Sequence, residues 1–389
     1  MLKNQEIIYI GNDWFADNKT SSHQIAGVLS KYNTLLYVEA AGQRAPRASR
    51  RDIHKIFKKL WSAWNAPAKV QDNLYRYSPL ILPFHKYGFV RKLNKFLLAR
   101  FIKRACKKVG FSDPLLWIIL PHYASLLDSI ECKGIVYYVV DEYSALPDVD
   151  VAMIRTMEEH VLQKANVVFV VSEELLERKS KLNKNTYLSP HGVDTAHFNK
   201  ALNNDTIIPG DIAGIGKPVI GFVGLIEKWV DLNLIEYLAR KRPALSFVLI
   251  GRVVQNITRF RTLDNVHFLG QREYAAVPSY IKYFDACLIP FELNDVIISS
   301  NPLKLKEYLA AGKPVVSVAI REVEKYGDVA YISNNYDEFL RCIDRALSED
   351  SPEKRTARVK AMEMESWTAK VERICEYVHQ HIEGSKDVA

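Results

Sequence analysis

Short apolar runs alternate with longer amphipathic segments along the first half of the chain. Runs rich in β-branched and aromatic residues predict strands, and apolar residues that recur every three to four positions predict helices. The predicted strands lie at 7–10, 35–39, 115–120, 135–140, 167–171 and 187–189, and the predicted helices at about 20–30, 90–108, 151–165 and 173–182. Residues 41–88 are basic and show no clear period. This alternation is typical of parallel sheets built from crossover units, so we predict an α/β fold.

The second half repeats this alternation after an irregular segment. Residues 199–217 are rich in Asn, Asp, Gly and Pro, which predicts an interdomain linker. Strands are then predicted at 219–223, 246–250, 266–269, 286–290 and 315–318, with Ile332 in a further strand. Helices are predicted near 231–241, 277–284, 302–311 and 336–348. A last helical stretch at about 353–382 is long enough to run back to the first domain.

These elements predict two Rossmann-like domains whose parallel sheets face a cleft. We expect the first domain at 1–198, the linker at 199–217, the second domain at 218–352 and the returning helix at 353–389. Ligands of open parallel sheets bind at the carboxyl ends of the strands. The candidate site is therefore expected in the segments that follow the strands.

The composition predicts a globular protein that stays in the cytoplasm. Hydrophobic residues make up 48% and charged residues 25% of the chain, which excludes a disordered or fibrous protein. No apolar run approaches the roughly 18 residues that span a bilayer. The amino terminus also lacks the apolar core and cleavage site of a signal peptide. The five cysteines are scattered without a CxxC spacing, which favours reduced thiols over disulfides or a zinc site.

The net charge of +8 is concentrated in one segment. Residues 44–108 contain 18 basic residues and two acidic ones, a pattern that fits either an anionic partner or a solvated face. No nucleic-acid recognition fold accompanies these residues, so we expect no nucleic-acid partner.

An amphipathic helix is predicted over residues 91–108 of this segment. Its apolar face contains Leu93, Leu97, Leu98, Phe101, Ile102 and Ala105. The cations Arg91, Lys92, Lys95, Lys103 and Lys107 fall mainly opposite. A helix of this kind lies either in a membrane interface or against the protein core. The nearby aromatic residues Trp61, Trp64, Phe84, Tyr87 and Phe89 favour an anionic membrane surface.

The most informative segment, residues 299–316, reads SSNPLKLKEYLAAGKPVV. The polar residues before Pro302 can cap a helix, Gly312 ends it, and Pro314 precedes a strand. The positive end of such a helix favours a phosphate, with Lys304 in its first turn, and Glu307 could accept hydrogen bonds from a ribose diol. An ordinary helix-to-strand connection with a solvated glutamate fits the same residues.

Together with PVIGFVG at 218–224, NVHFLG at 265–270 and SPHGVD at 189–194, this segment resembles the GT-B glycosyltransferases, particularly the retaining family four (glycosyltransferase group 1). The resemblance implies a GT-B fold and implies that Glu307 binds the nucleotide ribose. The family's first motif glutamate, which usually contacts the donor sugar, is replaced by Ser299. The resemblance also implies that Ser300, Asn301, Leu303 and Lys304 line the donor site.

Two further basic residues are candidates for holding the donor diphosphate. Lys228 matches the lysine that this family uses, whereas the family's usual arginine is Leu225 here. Arg252, directly after a predicted strand, could replace that arginine, because charge builds on the leaving nucleotide as the glycosidic bond breaks. Either side chain could instead be a plain surface residue, and the diphosphate role is favoured more for Lys228 than for Arg252.

The first half contributes candidates at two strand ends and one helix start. His122 matches a family histidine near the donor sugar, although a histidine that only packs fits the same position. Asp141 could be a general base for an acceptor hydroxyl or could cap the next turn. Ser21, Ser22 and His23 replace the family's glycine-rich first loop and are candidates for phosphate or acceptor contact. The pair Asp148 and Asp150 forms a DxD, but its place before a helix favours a cap over a metal site.

The sequence thus predicts a metal-independent glycosyltransferase on the cytoplasmic face of the cell membrane. It would move a sugar from a UDP- or GDP-linked donor to a lipid-linked or polysaccharide acceptor in cell-surface glycan synthesis. No cofactor is expected, and retention of the anomeric configuration is favoured over inversion. The alternative is a catalytically silent GT-B module that binds an anionic glycolipid or a sugar nucleotide.

Overall fold

The computed structural model describes residues 1–15, 19–40, 66–79, 88–146 and 149–384, with only the backbone for 88–91. The chain divides into two compact units. The first unit contains Met1–Val171, Leu175–Ser189 and Val371–Ala389, and the second contains Ser172–Glu174 and Pro190–Lys370.

The first unit is built on an eight-stranded sheet in the order β3-β4-β2-β1-β5-β6-β7-β8. Its strands are β1 Glu6–Gly11, β2 Thr34–Glu39, β3 Ala68–Gln71, β4 Leu74–Tyr77, β5 Leu115–Ile118, β6 Gly134–Val139, β7 Val167–Val170 and β8 Thr186–Leu188. All neighbouring strands are parallel except β3 and β4, which are antiparallel. The central strands are apolar on both faces, as expected for parallel strands covered by helices.

Helices cover this sheet and connect its parallel strands. They are Ser21–Leu29, Gly88–Val109, Val151–Lys164 and Glu173–Lys179, with 3-10 turns at Pro121–Leu126 and Tyr143–Ala145. Within Gly88–Val109, the side chains of Leu98, Ile102 and Ala105 are buried. The last described elements are the helix Trp367–Val378 and a π-helical turn at His379–Glu383.

The second unit contains a parallel six-stranded sheet in the order β11-β10-β9-β12-β13-β14. Its strands are β9 Val219–Val223, β10 Ser246–Ile250, β11 Val266–Gly270, β12 Ala286–Ile289, β13 Val315–Val318 and β14 Tyr331–Ser333. Its longer helices are Leu232–Lys241, Val277–Tyr283, Leu303–Ala310, Tyr336–Ser348 and Pro352–Ala361. Four-residue helices lie at Thr195–Phe198, Gly210–Ala213, Asp295–Ile298 and Arg321–Glu324, and 3-10 turns at Asn199–Leu202, Thr258–Thr262, Tyr274–Ala276 and Glu363–Glu365.

The α/β prediction is confirmed, but the predicted boundaries need correction. The amino-terminal part of the first unit ends at Ser189 rather than at 198. Residues 199–217 are not a free linker, because Ala201 and Ile212 are buried in the core of the second unit. The predicted helix over 353–382 is broken at Glu363–Glu365, and the chain returns to the first unit only at Val371.

Candidate active site

The helix Leu303–Ala310 positions the best-supported candidate residues of the second unit. It connects β12 to β13, so its amino terminus lies at the carboxyl edge of the sheet. Tyr308 is fully buried, and its hydroxyl accepts a hydrogen bond of 2.8 Å from the Val223 amide at the end of β9. The helix ends where Gly312 adopts a φ of 72°, a conformation that favours glycine. The predicted helix boundaries are confirmed.

Lys304 and Glu307 lie one turn apart on this helix and pair with each other. Lys304 Nζ lies 2.6 Å from Glu307 Oε2, and Glu307 is 8% exposed. The lysine therefore partly neutralises a buried carboxylate at the sheet edge. The second carboxylate oxygen, Oε1, forms no hydrogen bond with the residues that the structure describes.

Lys228 and Arg252 follow the adjacent strands β9 and β10 and are exposed. Their loops pair directly, since the Ile226 amide donates to the Arg252 carbonyl at 3.0 Å. Gly251 permits this pairing, because a Cβ there would lie 1.8 Å from the Gly224 carbonyl oxygen. Neither cationic side chain has an ion-pair partner among the described residues. The structure thus brings the two predicted diphosphate ligands to adjacent loops at one edge of the sheet.

The segment before the helix contains buried polar atoms that lack partners. Ser299 is fully buried, and among the described residues neither its Oγ nor Asn301 Oδ1 has a hydrogen-bond partner. The segment is nevertheless held in place, since Ser172 Oγ donates to the Ser299 carbonyl at 2.6 Å. Asn301 Nδ2 donates to Glu322 at 3.3 Å, which leaves Oδ1 as a free acceptor. Ser300 instead donates its hydroxyl to the Ile297 carbonyl at 2.8 Å.

A buried lysine that the sequence did not single out lies next to Glu307. Lys306 is 1% exposed, and its ammonium group donates to Glu365 and to the His191 carbonyl. Burial lowers the pKa of Lys306 to about 8, although Glu365 opposes the shift. Burial also lowers the pKa of His191 to about 3, so this ring is neutral. The SPHGVD motif was the sequence signal for this contact, but it did not identify Lys306.

Asp141 follows β6 in the first unit, where burial raises the pKa of its carboxyl to about 7. The next residue, Glu142, is part of a buried charge network. Lys179 Nζ lies 2.9 Å from Glu142 and 2.7 Å from Glu158, and all three side chains are at least nine-tenths buried. Glu142 also accepts a hydrogen bond of 2.8 Å from Ser144 Oγ. The turn that carries Asp141 is therefore held by a network that sequence reasoning missed, because its members are far apart in the chain.

His122 lies in the turn Pro121–Leu126, which follows β5. The neighbouring Tyr123 is buried, and its hydroxyl donates to the Glu39 carbonyl at 3.4 Å. Glu39 ends β2, so this turn contacts the end of another strand of the same sheet. The predicted strand-end position of His122 is confirmed, whereas its role stays a prediction.

Ser21, Ser22 and His23 begin the helix Ser21–Leu29 and are all buried. The Thr20 amide donates to His23 Nδ1 at 3.1 Å, so Nε2 carries the proton and donates to the Asp13 carbonyl at 2.8 Å. Ser22 Oγ bonds the Tyr37 hydroxyl at 3.0 Å. His23 and Ser22 are therefore engaged inside the protein, and their role in acceptor contact stays a prediction.

Known proteins resemble this chain in sequence and in fold. Residues 217–349 match the family model described as Glycosyl transferases group 1. The whole chain also has the fold of sucrose-phosphate synthase from Thermosynechococcus elongatus, with a TM-score of 0.69 and 14% identity over 97% of this chain and 99% of that one. The chain is a GT-B glycosyltransferase.

Two further proteins extend this likeness over most of the chain. The Bacillus subtilis (strain 168) protein TuaH, provisionally named a teichuronic acid biosynthesis glycosyltransferase, is 22% identical over 356 residues, which cover 86% of each protein. Anabaena HepE, solved in complex with UDP and glucose, gives a TM-score of 0.66 at 13% identity over 96% of this chain and 99% of that one.

The basic helix Gly88–Val109 of this glycosyltransferase does not present the face that was predicted to contact a membrane. The predicted apolar face does not lie open to a membrane, because Leu98, Phe101, Ile102 and Ala105 are buried in the first unit. The outward face instead exposes Phe96, at 63%, and Leu93, at 42%. The aromatic residues Trp61, Trp64, Phe84 and Tyr87 lie outside the described residues.

The predicted cations Lys92, Lys95, Lys103 and Lys107 of this helix are exposed. Lys95 pairs with Asp128 at 3.4 Å, whereas Lys103 and Lys107 have no ion-pair partner in the part of the chain that the structure describes. No helix in the described ranges combines the length and the apolarity needed to cross a membrane.

The DxD motif behaves as a helix cap where the structure describes it. Asp150 Oδ1 accepts a hydrogen bond of 3.1 Å from the Met153 amide at the start of Val151–Lys164. Asp148 lies outside the described residues. Among the described side chains, no group of three His, Cys, Asp or Glu residues is arranged to hold a metal ion.

Proposed function

We propose that this glycosyltransferase moves a sugar from a nucleoside-diphosphate donor to a lipid-linked or polysaccharide acceptor in cell-surface glycan synthesis. The observation that carries the proposal is a buried carboxylate, Glu307, at the sheet edge where Lys228 and Arg252 stand exposed and unpaired among the described residues. A carboxylate accepts hydrogen bonds from a ribose diol, and cations offset the charge of a diphosphate. The UDP and glucose bound by HepE and the name given to TuaH support this assignment.

In this proposal the second unit binds the nucleotide, UDP or GDP, and the first unit binds the acceptor. Lys228 stabilises the departing diphosphate, and preorganised cations of this kind act on charge that develops in the transition state. His122 lies near the transferred sugar. The leaving phosphate helps to deprotonate the acceptor, so the configuration is retained and Asp141 is not an essential base. The reaction needs neither a metal nor a cofactor.

Nucleotide binding is the direct test. Glu307→Ala should weaken UDP or GDP binding, measured by calorimetry, by about 1.5–3 kcal/mol, the scale of hydrogen bonds to a charged group. Glu307→Gln keeps the shape of the side chain and removes its charge. Comparing it with Glu307→Ala therefore separates the effect of the lost charge from the effect of the lost packing. Glu236, a surface carboxylate paired with Arg240 in the same unit, provides the matched control, and Glu236→Ala should bind as the parent does.

Two outcomes would contradict parts of this proposal. Unchanged nucleotide affinity in a stable Glu307→Ala variant would remove Glu307 from the site. Nucleotide binding without hydrolysis of any UDP- or GDP-sugar would favour the catalytically silent module. That alternative is suggested by the neutral Ser299, which stands where the family has a carboxylate.

The outward face of Gly88–Val109 supports a peripheral position on the inner face of the cell membrane. Lys103 and Lys107 can approach anionic headgroups, while Phe96 and Leu93 enter the interface between them. Each juxtamembrane cation contributes about 1 kcal/mol to binding an anionic surface. This arrangement differs from the predicted one, since the helix uses its exposed face and not its buried apolar face.

A further inference from the structure

Residues 12–15, which follow β1, are held in place from inside the first unit. The Trp14 amide donates to Glu39 Oε1 at 3.0 Å, and the Tyr37 hydroxyl donates to the Asn12 carbonyl at 2.8 Å. His23 Nε2 donates to the Asp13 carbonyl at 2.8 Å. The candidate acceptor residues Ser22 and His23 therefore act as supports for this segment.

Phe15 is the aromatic residue that this segment exposes. Its amide donates to Asp13 Oδ1 at 3.0 Å, yet its side chain is 65% exposed. The Arg76 guanidinium carbon lies 4.7 Å from the centre of the Phe15 ring. Arg76 is in turn held by Glu39, with Nε 2.6 Å and Nη2 2.8 Å from its two carboxylate oxygens. An exposed aromatic ring is thus fixed in place before any ligand arrives.

The Phe15 ring lies at the sheet edge that carries the other candidate residues of the first unit. Residues 12–15 follow β1, and Asp141 follows β6, two strands away across β5, which corresponds to about 10 Å at ordinary strand spacing. Glu39 links the Phe15 segment to the turn that carries His122, because its carbonyl accepts from Tyr123. Phe15 therefore stands at the same sheet edge as the two candidate residues of the first unit.

We propose that Phe15 is an aromatic platform on which a sugar ring of the acceptor stacks, an inference that rests on the proposed function. The apolar C–H face of a pyranose packs on the electron-rich face of an aromatic ring. Because residues 12–15 are already held by hydrogen bonds, little conformational entropy of this segment is lost on binding.

The charge around Phe15 favours a neutral sugar ring over an anionic headgroup. Arg76 is bidentate to Glu39, so its charge is already compensated. The nearby Lys19 donates to the Trp14 carbonyl at 3.1 Å and lies over the Trp14 ring. The Asp13 carboxylate, which accepts from the Phe15 amide, offsets the charge of Lys19, so the described charges around Phe15 sum to about zero, unlike those on the outward face of Gly88–Val109.

Saturation-transfer NMR with methyl glucoside, methyl galactoside, methyl N-acetylglucosaminide and methyl glucuronide tests this inference on the full chain. At least one glycoside should receive saturation from the parent protein, and Phe15→Ala should bind it about two to ten times more weakly, the range of one aromatic contact. Phe15→Trp should retain binding. Tyr32, an exposed aromatic residue just before β2 at the opposite sheet edge, is the control, and Tyr32→Ala should bind as the parent does.

Equal saturation in the parent and Phe15→Ala, or no saturation of any of the four glycosides by the parent, would overturn the platform. A thermal-shift assay with UDP and GDP on the same samples keeps the two proposals separate. Phe15→Ala should leave the nucleotide shift unchanged, because Phe15 lies in the first unit. If neither nucleotide shifts any variant, the nucleotide proposal fails, while the glycoside result stands by itself.

Discussion

Ser299→Ala should make this glycosyltransferase more stable and a poorer binder of its donor sugar. A buried hydroxyl without a partner costs about 1–3 kcal/mol of desolvation, and Ser299 Oγ has no partner in the part of the chain that the structure describes. Removing it leaves a void on the order of 10–15 Å³, which costs about 0.2–0.4 kcal/mol at about 24 cal/mol per Å³. The substitution should therefore stabilise the second unit by about 1 kcal/mol or more. For a domain of 150–250 residues, 1 kcal/mol corresponds to about 2–4 °C in melting temperature.

The same hydroxyl should matter when a sugar is bound. If Ser299 Oγ pairs with a donor hydroxyl, its loss costs about 0.5–1.5 kcal/mol, which is roughly a two- to twelvefold weaker Kd for the UDP-sugar. Free UDP lacks the sugar and should bind both proteins equally. Differential scanning calorimetry measures the first effect, and titration calorimetry with UDP and UDP-glucose measures the second.

A partnered serine in the same unit gives the matched control. Ser246 is buried, and its Oγ donates to the Gly216 carbonyl at 2.6 Å. Ser246→Ala should therefore lower the melting temperature, opposite in sign to Ser299→Ala. Equal destabilisation by the two substitutions would show that Ser299 Oγ is satisfied in the free protein, and the reasoning would be refuted.

Lys228→Ala should cut donor turnover on the order of 100-fold, as loss of a charge-stabilising group does; a change below fivefold in a chromatographic assay would remove it from the diphosphate site. Reversing Lys95, Lys103 and Lys107 to Glu should release the protein from anionic vesicles in a flotation assay, since each cation contributes about 1 kcal/mol; equal binding would favour a solvated face. Asp141→Asn should lower turnover less than about tenfold, below the range of a general base. An inverted anomeric configuration of the product, read by NMR, together with an inactive Asp141→Asn variant would contradict the retaining mechanism. Because the pKa of Asp141 is raised to about 7, the folded state holds a proton that the unfolded state has lost, so the free energy of unfolding should fall as pH rises from about 4 to 7; melting curves at several pH values should show a shallower slope in Asp141→Asn.

The sequence predicted the strands that are continuous runs of apolar residues. The parallel strands β1, β6 and β9 are continuous apolar runs, and the structure contains them close to the predicted bounds. The hairpin of β3 and β4 was missed because its residues are mostly polar or partly exposed. Residues 199–217 resembled a linker because their helices are only four residues long, too short to show a helical period.

The candidate site was predictable only where neighbours in sequence are neighbours in space. Glu307 and Lys304 are one helical turn apart, so their pairing follows from the sequence. Lys306 was missed because a lysine is normally exposed. Its partner Glu365 is far away along the chain, and only the folded structure places them together.

In each unit a buried lysine lies close to a candidate residue and is ion-paired with glutamate. Lys179 bonds Glu142, the neighbour of Asp141, and Lys306 is itself the neighbour of Glu307. Buried ion pairs add little net stability, because desolvation offsets the attraction, yet removing one partner leaves an uncompensated charge. A pair of apolar residues would stabilise these sites equally well, but it would not select one orientation of the turn or the helix. The buried charges are therefore better explained by the geometry they impose on Asp141 and Glu307 than by any contribution to stability.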